Sequence, residues 1–201
     1  MLISIDGGDG CGKSTQMTLL ADWLRESGKD VFTCRDPGST PLGEAVREIL
    51  LHRHDMAISR ESEMLLFMAA RAQMVREMIF PALEKGQIVI TDRFLLSTIV
   101  YQGYAGGLSV EAIEQVGRIA TSGLLPDLTF ILDISLEDAE LRFGHREKDR
   151  MERMDKHFHY LVREGFLKHV ATDPKRYIVL DATLPQNVIA QTIRNHVSTM
   201  M

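Results

Sequence analysis

The sequence predicts an α/β fold in which helices flank a sheet of five parallel strands, and three observations favour this fold. Short apolar segments typical of buried strands alternate along the chain with longer segments that have helical periodicity. The first predicted strand runs directly into a glycine-rich turn and a helix. The 201 residues, with no internal repeat and no long linker, are sufficient for one domain with a sizeable core. We therefore expect a single domain over residues 1–201.

The glycine-rich turn follows a strand predicted at residues 2–5 and has the phosphate-binding pattern Gly7-x-x-x-x-Gly12-Lys13-Ser14. Glycines let backbone N–H groups approach an anion, and the N-terminus of the next helix favours negative charge. We expect Lys13 to reach the β- and γ-phosphates of a nucleoside triphosphate, and the Ser14 hydroxyl to bind Mg²⁺. The loop residues predicted to bind the triphosphate are Gly7, Gly8, Asp9, Gly10, Cys11, Gly12, Lys13, Ser14 and Thr15. The alternative is a plain glycine-rich turn, which the strand–turn–helix context argues against.

Three helices and one strand are predicted in the first half of the chain after the loop. A helix at 13–27 ends at Ser27-Gly28, which is a typical C-terminal cap. A short buried strand at 31–34 precedes a turn-rich loop and a helix from about 42 to 51. A long helix from about 61 to 84 carries apolar residues at helical spacing, which favours a position in the core or at a subunit interface.

The second half of the chain continues the alternation and completes the predicted sheet. Strands are predicted at 87–91, 127–133 and 177–180, and helices at 94–104, 109–122, 135–143, from the end of a charged segment to about 171, and at 185–199. The charged segment itself covers 144–153 and has few apolar residues. Since ligands of such sheets bind beyond the carboxyl ends of the strands, this edge carries the candidate site. The polar residues expected at this edge are Asp6, Arg35, Asp92 and Asp133.

Composition excludes several classes of protein and partner. The net charge of −5 argues against a general nucleic-acid-binding surface. No apolar run approaches the length of a membrane span, and no signal-peptide pattern is present. The two cysteines form no disulfide framework or ligand set, which favours reduced thiols and a cytoplasmic location. Cys11 lies inside the phosphate loop, where its oxidation would block the site; the alternative is a small loop residue without a redox role.

A phosphate loop alone does not distinguish a kinase from a switch GTPase or a motor ATPase. The chain has neither the Asp-x-x-Gly element nor the base-reading [Asn/Thr]-Lys-x-Asp element of a GTPase. Instead, Asp92-Arg93 places a carboxylate suited to a metal beside a guanidinium suited to a second phosphate. This pair predicts a phosphoryl acceptor that itself carries a phosphate, although a surface ion pair is the alternative.

A second group of residues is suited to a nucleotide base and sugar. Phe67 and Arg71 are one helical turn apart and therefore share a face that offers a stacking surface and a hydrogen-bonding fork. Without other support, a core aromatic and a solvated arginine would be the ordinary interpretation. Thr98, Tyr101 and Gln102 lie three to four residues apart on the helix after Arg93 and supply hydroxyl and amide groups suited to a pyrimidine and a deoxyribose.

Taken together, these motifs resemble the thymidylate kinase family over nearly the whole chain. The resemblance rests on the phosphate loop with Asp9, Arg35-x-Pro37-Gly38, Phe67-x-x-x-Arg71, Asp92-Arg93-Phe94, Ser97-Thr98, Tyr101-Gln102-Gly103, Pro126-Asp127-Leu128, Asp149-Arg150-x-Glu152 and Leu180-Asp181-Ala182. It implies transfer of the ATP γ-phosphoryl group to dTMP with Mg²⁺, giving dTDP and ADP. It also implies a homodimer, for which the methionine-rich helix at 61–84 is a candidate contact surface.

The resemblance also implies a role for each matching residue in binding dTMP. Arg93 would hold the acceptor phosphate, Phe67 would stack on thymine, and Tyr101 would crowd the 2′ position of the sugar. The remaining residues implied to contact or approach dTMP are Asp9 at the 3′-hydroxyl, Arg71 and Gln102 at the base edge, Thr98 close by, and Arg35 and Arg47 near the phosphate. Asp92 would help Ser14 to organise Mg²⁺.

The family supplies catalytic charge either from the phosphate loop or from a lid. This chain has Gly10 where the first arrangement has an arginine, so the resemblance implies a mobile lid at about 142–153 that closes over ATP. Arg146 and Arg150 are the leading catalytic candidates beside Lys13, Asp9 and Arg93, and Arg142 is a candidate for binding ATP. The alternative for each lid arginine is a solvated surface residue.

Two features depart from the family pattern, and other functions stay open. The usual Glu-Pro-Gly-Gly is Asp36-Pro37-Gly38-Ser39 here, where the family suggests a cis Asp36–Pro37 bond. The lid is also short. A kinase for another deoxynucleotide or for a nucleoside is the alternative within the fold. A nucleotide-dependent switch or binding module is the alternative outside it.

Overall fold

Five parallel strands form the sheet in the computed structural model, which describes residues 1–53, 55–143 and 148–201. In this part of the chain the strand order is β2-β3-β1-β4-β5, and every neighbouring pair is parallel. The strands are β1 (Leu2–Gly7), β2 (Val31–Arg35), β3 (Ile88–Asp92), β4 (Leu128–Asp133) and β5 (Tyr177–Asp181). The predicted fold class is confirmed.

Helices pack on both faces of the sheet and connect successive strands. The α-helices are α1 (Lys13–Glu26), α2 (Pro41–Arg47), α3 (Arg60–Met74), α4 (Phe80–Glu84), α5 (Leu95–Thr98), α6 (Val110–Ala120), α7 (Leu136–Phe143), α8 (Lys156–Val170) and α9 (Gln186–Ser198). In the described part of the chain, three π-helical segments extend α2, α3 and α5 without interruption, at Glu48–His52, Val75–Ile79 and Ile99–Ala105. None of the helices within the described ranges is both long and apolar enough to span a bilayer.

The sheet has a buried centre and two partly exposed edges. Strands β1, β3 and β4 are apolar and almost fully buried, as expected for parallel strands covered on both faces. The prediction that β2 is buried is wrong for most of its length, because β2 is an edge strand and only Cys34 within it is buried. Edge strands have a neighbour on one side only, so they are covered less.

Two apolar layers stabilise the sheet, one on each face. On one face α1 and α9 pack against residues such as Ile5, Ile90 and Phe130. On the other face, Val89 of β3 packs with buried residues of α3 that include Met68 and Met74. Burial of this kind contributes about 25 cal/mol per Å² of apolar surface. The two layers hold the carboxyl ends of the strands in fixed positions.

Strand register brings the chemically important residues to one edge. Ile5 of β1 pairs with Asp92 at the end of β3, and Arg35 at the end of β2 pairs with the same Asp92. On the other side, Asp133 at the end of β4 pairs with Asp181 at the end of β5. The phosphate loop follows β1 between these two groups, so it lies at the centre of the edge.

Candidate active site

The phosphate loop has the backbone conformation that its glycines predict. Gly7, Gly10 and Gly12 all have positive φ angles, of 135°, 76° and 96°. Gly7 also needs to be glycine for space, since a Cβ there would lie 2.6 Å from the carbonyl oxygen of Leu132. Helix α1 begins at Lys13 directly after the loop, so its N-terminus adds a partial positive charge to the cradle.

Lys13 folds back over the loop. Its Nζ donates to the carbonyl oxygens of Gly8 at 2.8 Å and of Gly7 at 3.3 Å. Both carbonyl oxygens are uncharged acceptors, whereas the Lys13 ammonium is a partly buried cation. An anionic phosphate oxygen would therefore be a stronger partner for the same N–H groups. The position of Lys13 therefore fits the predicted phosphate contact.

Arg93 reaches the same loop from the end of β3. It has a left-handed backbone, with φ of 69°, which turns the chain back towards β1. Its guanidinium donates to the Gly7 carbonyl oxygen at 3.0 Å, to Asp9 Oδ1 at 2.6 Å and to Ser97 Oγ at 3.1 Å. The guanidinium carbon lies 5.0 Å from the centre of the Tyr101 ring. Arg93 and Lys13 therefore converge on one carbonyl group, that of Gly7.

The charges around Arg93 stabilise one another. Burial acts to lower the pKa of Arg93, but Tyr101, Asp9 and neighbouring carboxylates raise it well above its ordinary value. For Asp9, burial acts to raise the pKa, but the charges of Arg93 and Lys13 outweigh it and the pKa is lowered. Asp9 is therefore an ionised acceptor at neutral pH, and Arg93 is a permanent cation.

Asp6 supports Arg93 and was not assigned a role from the sequence beyond its position at the strand end. Its side chain is fully buried and accepts hydrogen bonds from the hydroxyls of Ser4 and Ser97, the latter at 2.6 Å. Burial raises the pKa of Asp6, although both hydroxyls and Arg93 oppose this. Because Ser97 also accepts from Arg93, it links Asp6 to the guanidinium.

Ser14 and Asp92 lie side by side at the mouth of the loop. The Ser14 hydroxyl donates to Asp92 Oδ2 at 3.2 Å. Two oxygen ligands on one side suit Mg²⁺, which keeps several water ligands and takes others from a nucleotide phosphate. No set of three metal-ligating side chains occurs in the described ranges, so any metal site here would depend on nucleotide and water. The residues present fit Mg²⁺ on these terms.

A cleft of about 590 Å³ extends from the loop towards α3, which is a suitable size for one nucleotide. The predicted site residues that line it are Asp9, Lys13, Ser14, Arg35, Arg47, Phe67, Arg71, Asp92, Arg93, Thr98, Tyr101 and Gln102. Tyr101 is held in place by the edges of the Phe158 and Phe166 rings, with centres 6.2 and 6.3 Å away. The fold thus brings together residues that are up to 93 positions apart.

The sequence predicts that Arg71 faces a ligand, but in the structure its guanidinium is buried and already paired with other residues of the protein. It is only 1% exposed, and its Nε donates to Asp36 Oδ2 at 2.5 Å in an ion pair that is buried on both sides. A second nitrogen, Nη2, donates to Thr98 Oγ1 at 2.9 Å and to the Phe94 carbonyl oxygen at 3.3 Å. Arg71 therefore ties the Asp36 loop to α5, whatever it offers to a ligand.

We expect Arg71→Met to destabilise the protein by about 3–5 kcal/mol, because it leaves the Asp36 carboxylate buried without its cation. Urea unfolding followed by circular dichroism measures the free energy of unfolding. Arg76→Met is the matched control, since Arg76 follows on the same helix and is exposed. Equal stability of the two variants would show that the buried ion pair does not support the fold.

The chain is similar to known proteins over most of its length. The thymidylate kinase family model matches residues 5–193. The chain is 50% identical over 188 residues to the thymidylate kinase of Caldanaerobacter subterraneus subsp. tengcongensis, covering 94% of this chain and 89% of the relative. The chain belongs to the thymidylate kinase family. The resemblance predicted from the motifs is confirmed, and the protein is a phosphotransferase of that family.

Two further thymidylate kinases match this chain over almost its full length. A thymidylate kinase of Chlorobaculum tepidum is 42% identical over 210 residues, covering 100% of this chain and 98% of the relative. The crystal structure of thymidylate kinase from Ehrlichia chaffeensis matches with a TM-score of 0.80 at 32% identity, covering 98% of each chain. The fold of this chain is therefore a thymidylate kinase fold throughout.

The Asp36 loop departs from the thymidylate kinase pattern in sequence but keeps a defined shape. The Asp36–Pro37 bond is cis, as the resemblance suggested. Ser39 adopts a left-handed φ of 68° at the position of the second glycine, and its hydroxyl accepts from the Arg35 N–H at 2.9 Å. Glu44 accepts from the Ser39 N–H at 2.7 Å, so side-chain contacts support a conformation that glycine adopts without strain.

Arg35 and Arg47 line the cleft, and each is hydrogen-bonded to another residue of the protein. Arg35 Nη2 contacts both carboxylate oxygens of Glu44, at 2.9 and 3.1 Å. Arg47 Nη1 donates to the Pro37 carbonyl oxygen at 3.0 Å, and its pKa is lowered by burial and by the charge of Arg35. Their predicted contact with the acceptor phosphate stays a prediction.

The structure describes only part of the predicted lid. Arg146 lies outside the described residues. Arg150 donates to the Leu50 carbonyl oxygen at 2.6 Å and to the carboxylate of Glu63, and it does not line the cleft. Arg142 is exposed in the last turn of α7. The structure thus does not bring Arg150 to the phosphate loop, since other partners hold its guanidinium, and its catalytic role stays a prediction.

Three residues at or near the cleft were given no role from the sequence, although Glu152 belongs to one of the matching motifs. Lys148 and Glu152 line the cleft from the lid side, and Glu152 is 7% exposed. Glu63 accepts a hydrogen bond from Gln102 Nε2 at 2.8 Å. A lone glutamate in the first turn of a helix is ordinary in a sequence, so only the Glu-x-x-x-Phe-x-x-x-Arg spacing of Glu63, Phe67 and Arg71 could have indicated a shared face.

Proposed function

We propose that this chain transfers the γ-phosphoryl group of ATP to dTMP, giving dTDP and ADP. One observation carries the proposal: Lys13 and Arg93, from different elements, donate to the same carbonyl group of Gly7. A cation suited to the donor triphosphate thus lies next to a guanidinium suited to the acceptor phosphate. Family membership supplies the identity of the two substrates.

In the proposed reaction the two phosphates meet on either side of Gly7. A phosphate oxygen of dTMP attacks the γ-phosphorus, and the bond from this phosphorus to the β–γ bridging oxygen breaks as ADP leaves. Arg93 holds the attacking phosphate, while Lys13 and the loop amides neutralise charge that develops on the transferred group. The catalytic contribution is therefore positioning and charge neutralisation.

The rest of the cleft fits the nucleoside part of dTMP. Phe67 offers an aromatic face for thymine, and Gln102 and Thr98 offer hydrogen-bonding groups to its edge. Tyr101 is 6% exposed and packed between two aromatic rings, so it cannot easily move away from a 2′-hydroxyl. Asp9, which is ionised, is proposed as the acceptor for the 3′-hydroxyl.

Mg²⁺ is proposed to bind at Ser14 and Asp92 together with the ATP phosphates. When bound there, it would supply positive charge to the β- and γ-phosphates. The Ser14 hydroxyl and the Asp92 carboxylate would hold it on the protein side. We further propose that residues 1–201 act as one domain and that residues 142–153 form a lid in which Arg142, Arg146 and Arg150 approach ATP.

Steady-state assays with ATP and a series of acceptors test this function. We expect turnover with dTMP, weaker turnover with dUMP, and little with thymidine, because thymidine lacks the phosphate that Arg93 would bind. The missing methyl group of dUMP is worth about 1–3 kcal/mol in a fitted pocket. Equal or better turnover of thymidine would contradict the proposal, and so would ATP hydrolysis that no acceptor stimulates.

We also propose a homodimer through α3 and α6. These helices pack side by side and expose apolar side chains, with Leu65 52% and Ile119 81% exposed. Ile119→Glu is expected to convert the dimer to a monomer, because it buries a charge in an apolar contact. Light scattering at several concentrations measures the mass. Val188→Glu, on α9 and 42% exposed, is the control expected to stay dimeric.

A monomeric wild-type protein, or a dimer that Ile119→Glu leaves intact, would contradict this surface.

The proposed location is the cytoplasm, since Cys11 and Cys34 are both free thiols, as a reducing compartment allows. Fractionation of the source cells followed by immunoblotting tests the location.

A further inference from the structure

Glu63 joins two parts of the molecule that the sequence treats separately. It lies in the first turn of α3, and its side chain is 13% exposed. One carboxylate oxygen accepts from Gln102 Nε2 at 2.8 Å, and the other accepts from Arg150 Nη2. Both partners are distant in the chain, so the contact is a product of the fold. Glu63 has no role in the proposed phosphoryl transfer.

The chemistry of this contact fixes the orientation of the Gln102 amide. An ionised carboxylate only accepts hydrogen bonds, so the end of the amide that faces Glu63 must be the NH₂ group. The carbonyl oxygen Oε1 is then the other end. No described residue donates a hydrogen bond to this oxygen, although Gln102 is only 3% exposed and lines the cleft.

Arg150 keeps Glu63 in that position. Its Nε donates to the Leu50 carbonyl oxygen at 2.6 Å, and its backbone N–H donates to the Leu51 carbonyl oxygen at 3.0 Å. An arginine held at two other points restricts the carboxylate that it contacts, because the Glu63 side chain cannot rotate without losing a charge-assisted hydrogen bond. Glu63 is therefore a fixed acceptor rather than a solvated glutamate.

We propose that Glu63 is a positioning residue that presents the carbonyl oxygen of Gln102 to the base, and thereby selects a pyrimidine with an N–H at ring position 3. This inference rests on the proposed function for the position of the base. Thymine and uracil have such a donor, whereas neutral cytosine has a lone pair there. A carbonyl oxygen facing that lone pair is repulsive, and an amide free to rotate would present its NH₂ group instead. Selection between the two base classes then depends on a residue that does not touch the base.

The test compares binding of dTMP and dCMP by isothermal titration calorimetry. In Glu63→Gln the neutral amide accepts or donates, so it no longer dictates which end of Gln102 faces the cleft. We expect the ratio of the dCMP Kd to the dTMP Kd to fall by about tenfold or more. Glu61→Gln is the matched control, since it removes one charge from the same helical turn at an exposed position, and it should keep the wild-type ratio.

Arg150→Gln separates selection by the amide from any effect of the lid. It should lower the ratio by less than Glu63→Gln does, because Glu63 loses one restraint but its carboxylate still only accepts hydrogen bonds and still faces the NH₂ group of Gln102. An unchanged ratio in Glu63→Gln overturns the proposal, and so does an equal loss of affinity for both nucleotides, which indicates a structural role only. A fall in Arg150→Gln as large as that in Glu63→Gln also overturns it, since selection would then act through the lid.

Two further measurements keep the test decisive. If Glu63→Gln alone does not fold, the double variant Glu63→Gln/Arg150→Gln leaves neither charge unpaired and is compared with Arg150→Gln in the same way. Turnover of dTMP by the wild-type protein is measured separately. A wild-type protein that binds dTMP with the expected selectivity but does not phosphorylate it contradicts the proposed function and not the role of Glu63.

Discussion

Lys13→Met is expected to lower kcat for phosphoryl transfer about a thousandfold, which is the largest effect we predict for a single side chain. The ammonium group lies over the phosphate loop, in contact with the carbonyl oxygens of Gly7 and Gly8. Its charge is most valuable when negative charge develops on the oxygens of the transferred group. Methionine keeps the unbranched shape of the side chain, so the loop should fold as before.

The affinity for dTMP should change little in Lys13→Met, because the acceptor phosphate is assigned to Arg93. Rapid-quench measurement of the chemical step and calorimetric titration of dTMP separate these two quantities. Lys29→Met removes a lysine from an exposed position after α1 and serves as the control. If Lys13→Met kept more than a tenth of the wild-type kcat, the proposed role of Lys13 in phosphoryl transfer would be contradicted.

Arg93→Lys is expected to raise the KM for dTMP about a hundredfold, even though the positive charge is kept. The guanidinium donates in several directions at once, to the Gly7 carbonyl oxygen, to Asp9 and to Ser97. A lysine at this position presents a single nitrogen, so it cannot hold a phosphate and keep these partners together. We expect kcat to fall as well, since a poorly held acceptor is misaligned for attack.

The KM for ATP should stay within about threefold of wild type, since the triphosphate is assigned to the loop and Lys13. Initial-rate measurements with each substrate varied in turn give both KM values. Arg118→Lys, an exposed position on α6, is the control. If Arg93→Lys raised the KM for ATP more than the KM for dTMP, the assignment of Arg93 to the acceptor phosphate would be contradicted.

The phosphate loop and the sheet could be predicted because their signals are local. The pattern from Gly7 to Ser14 specifies its own backbone, and the apolar runs of β1, β3 and β4 need no knowledge of distant residues. Exposure of β2 could not be read in this way. Its composition is that of a buried strand, and only the strand order shows that it lies at an edge.

The helices show a similar limit. The apolar spacing in the 61–84 region predicts one long helix, and the chain is helical throughout, but a π-helical turn at Val75–Ile79 changes the direction of later side chains. Leu65 is one of the apolar residues of this helix, yet its side chain is exposed. Periodicity identifies the helix but not every residue that faces the core.

The motifs predicted which residues line the cleft, but not which partners inside the protein hold them. Arg71 was predicted at the cleft, and it lies there, but its buried contact with Asp36 joins residues 35 positions apart. The contacts of Glu63 with Gln102 and Arg150 span 39 and 87 positions. Such pairs depend on how α3 packs against the neighbouring elements, which no local pattern encodes.

A crystal structure with dTMP and a non-hydrolysable ATP analogue tests the central claim most directly. We predict that the dTMP phosphate contacts Arg93 and that the terminal phosphate of the analogue contacts Lys13, with the two phosphates adjacent beside Gly7. A dTMP phosphate bound away from Arg93, or a triphosphate bound outside the loop, would contradict the account.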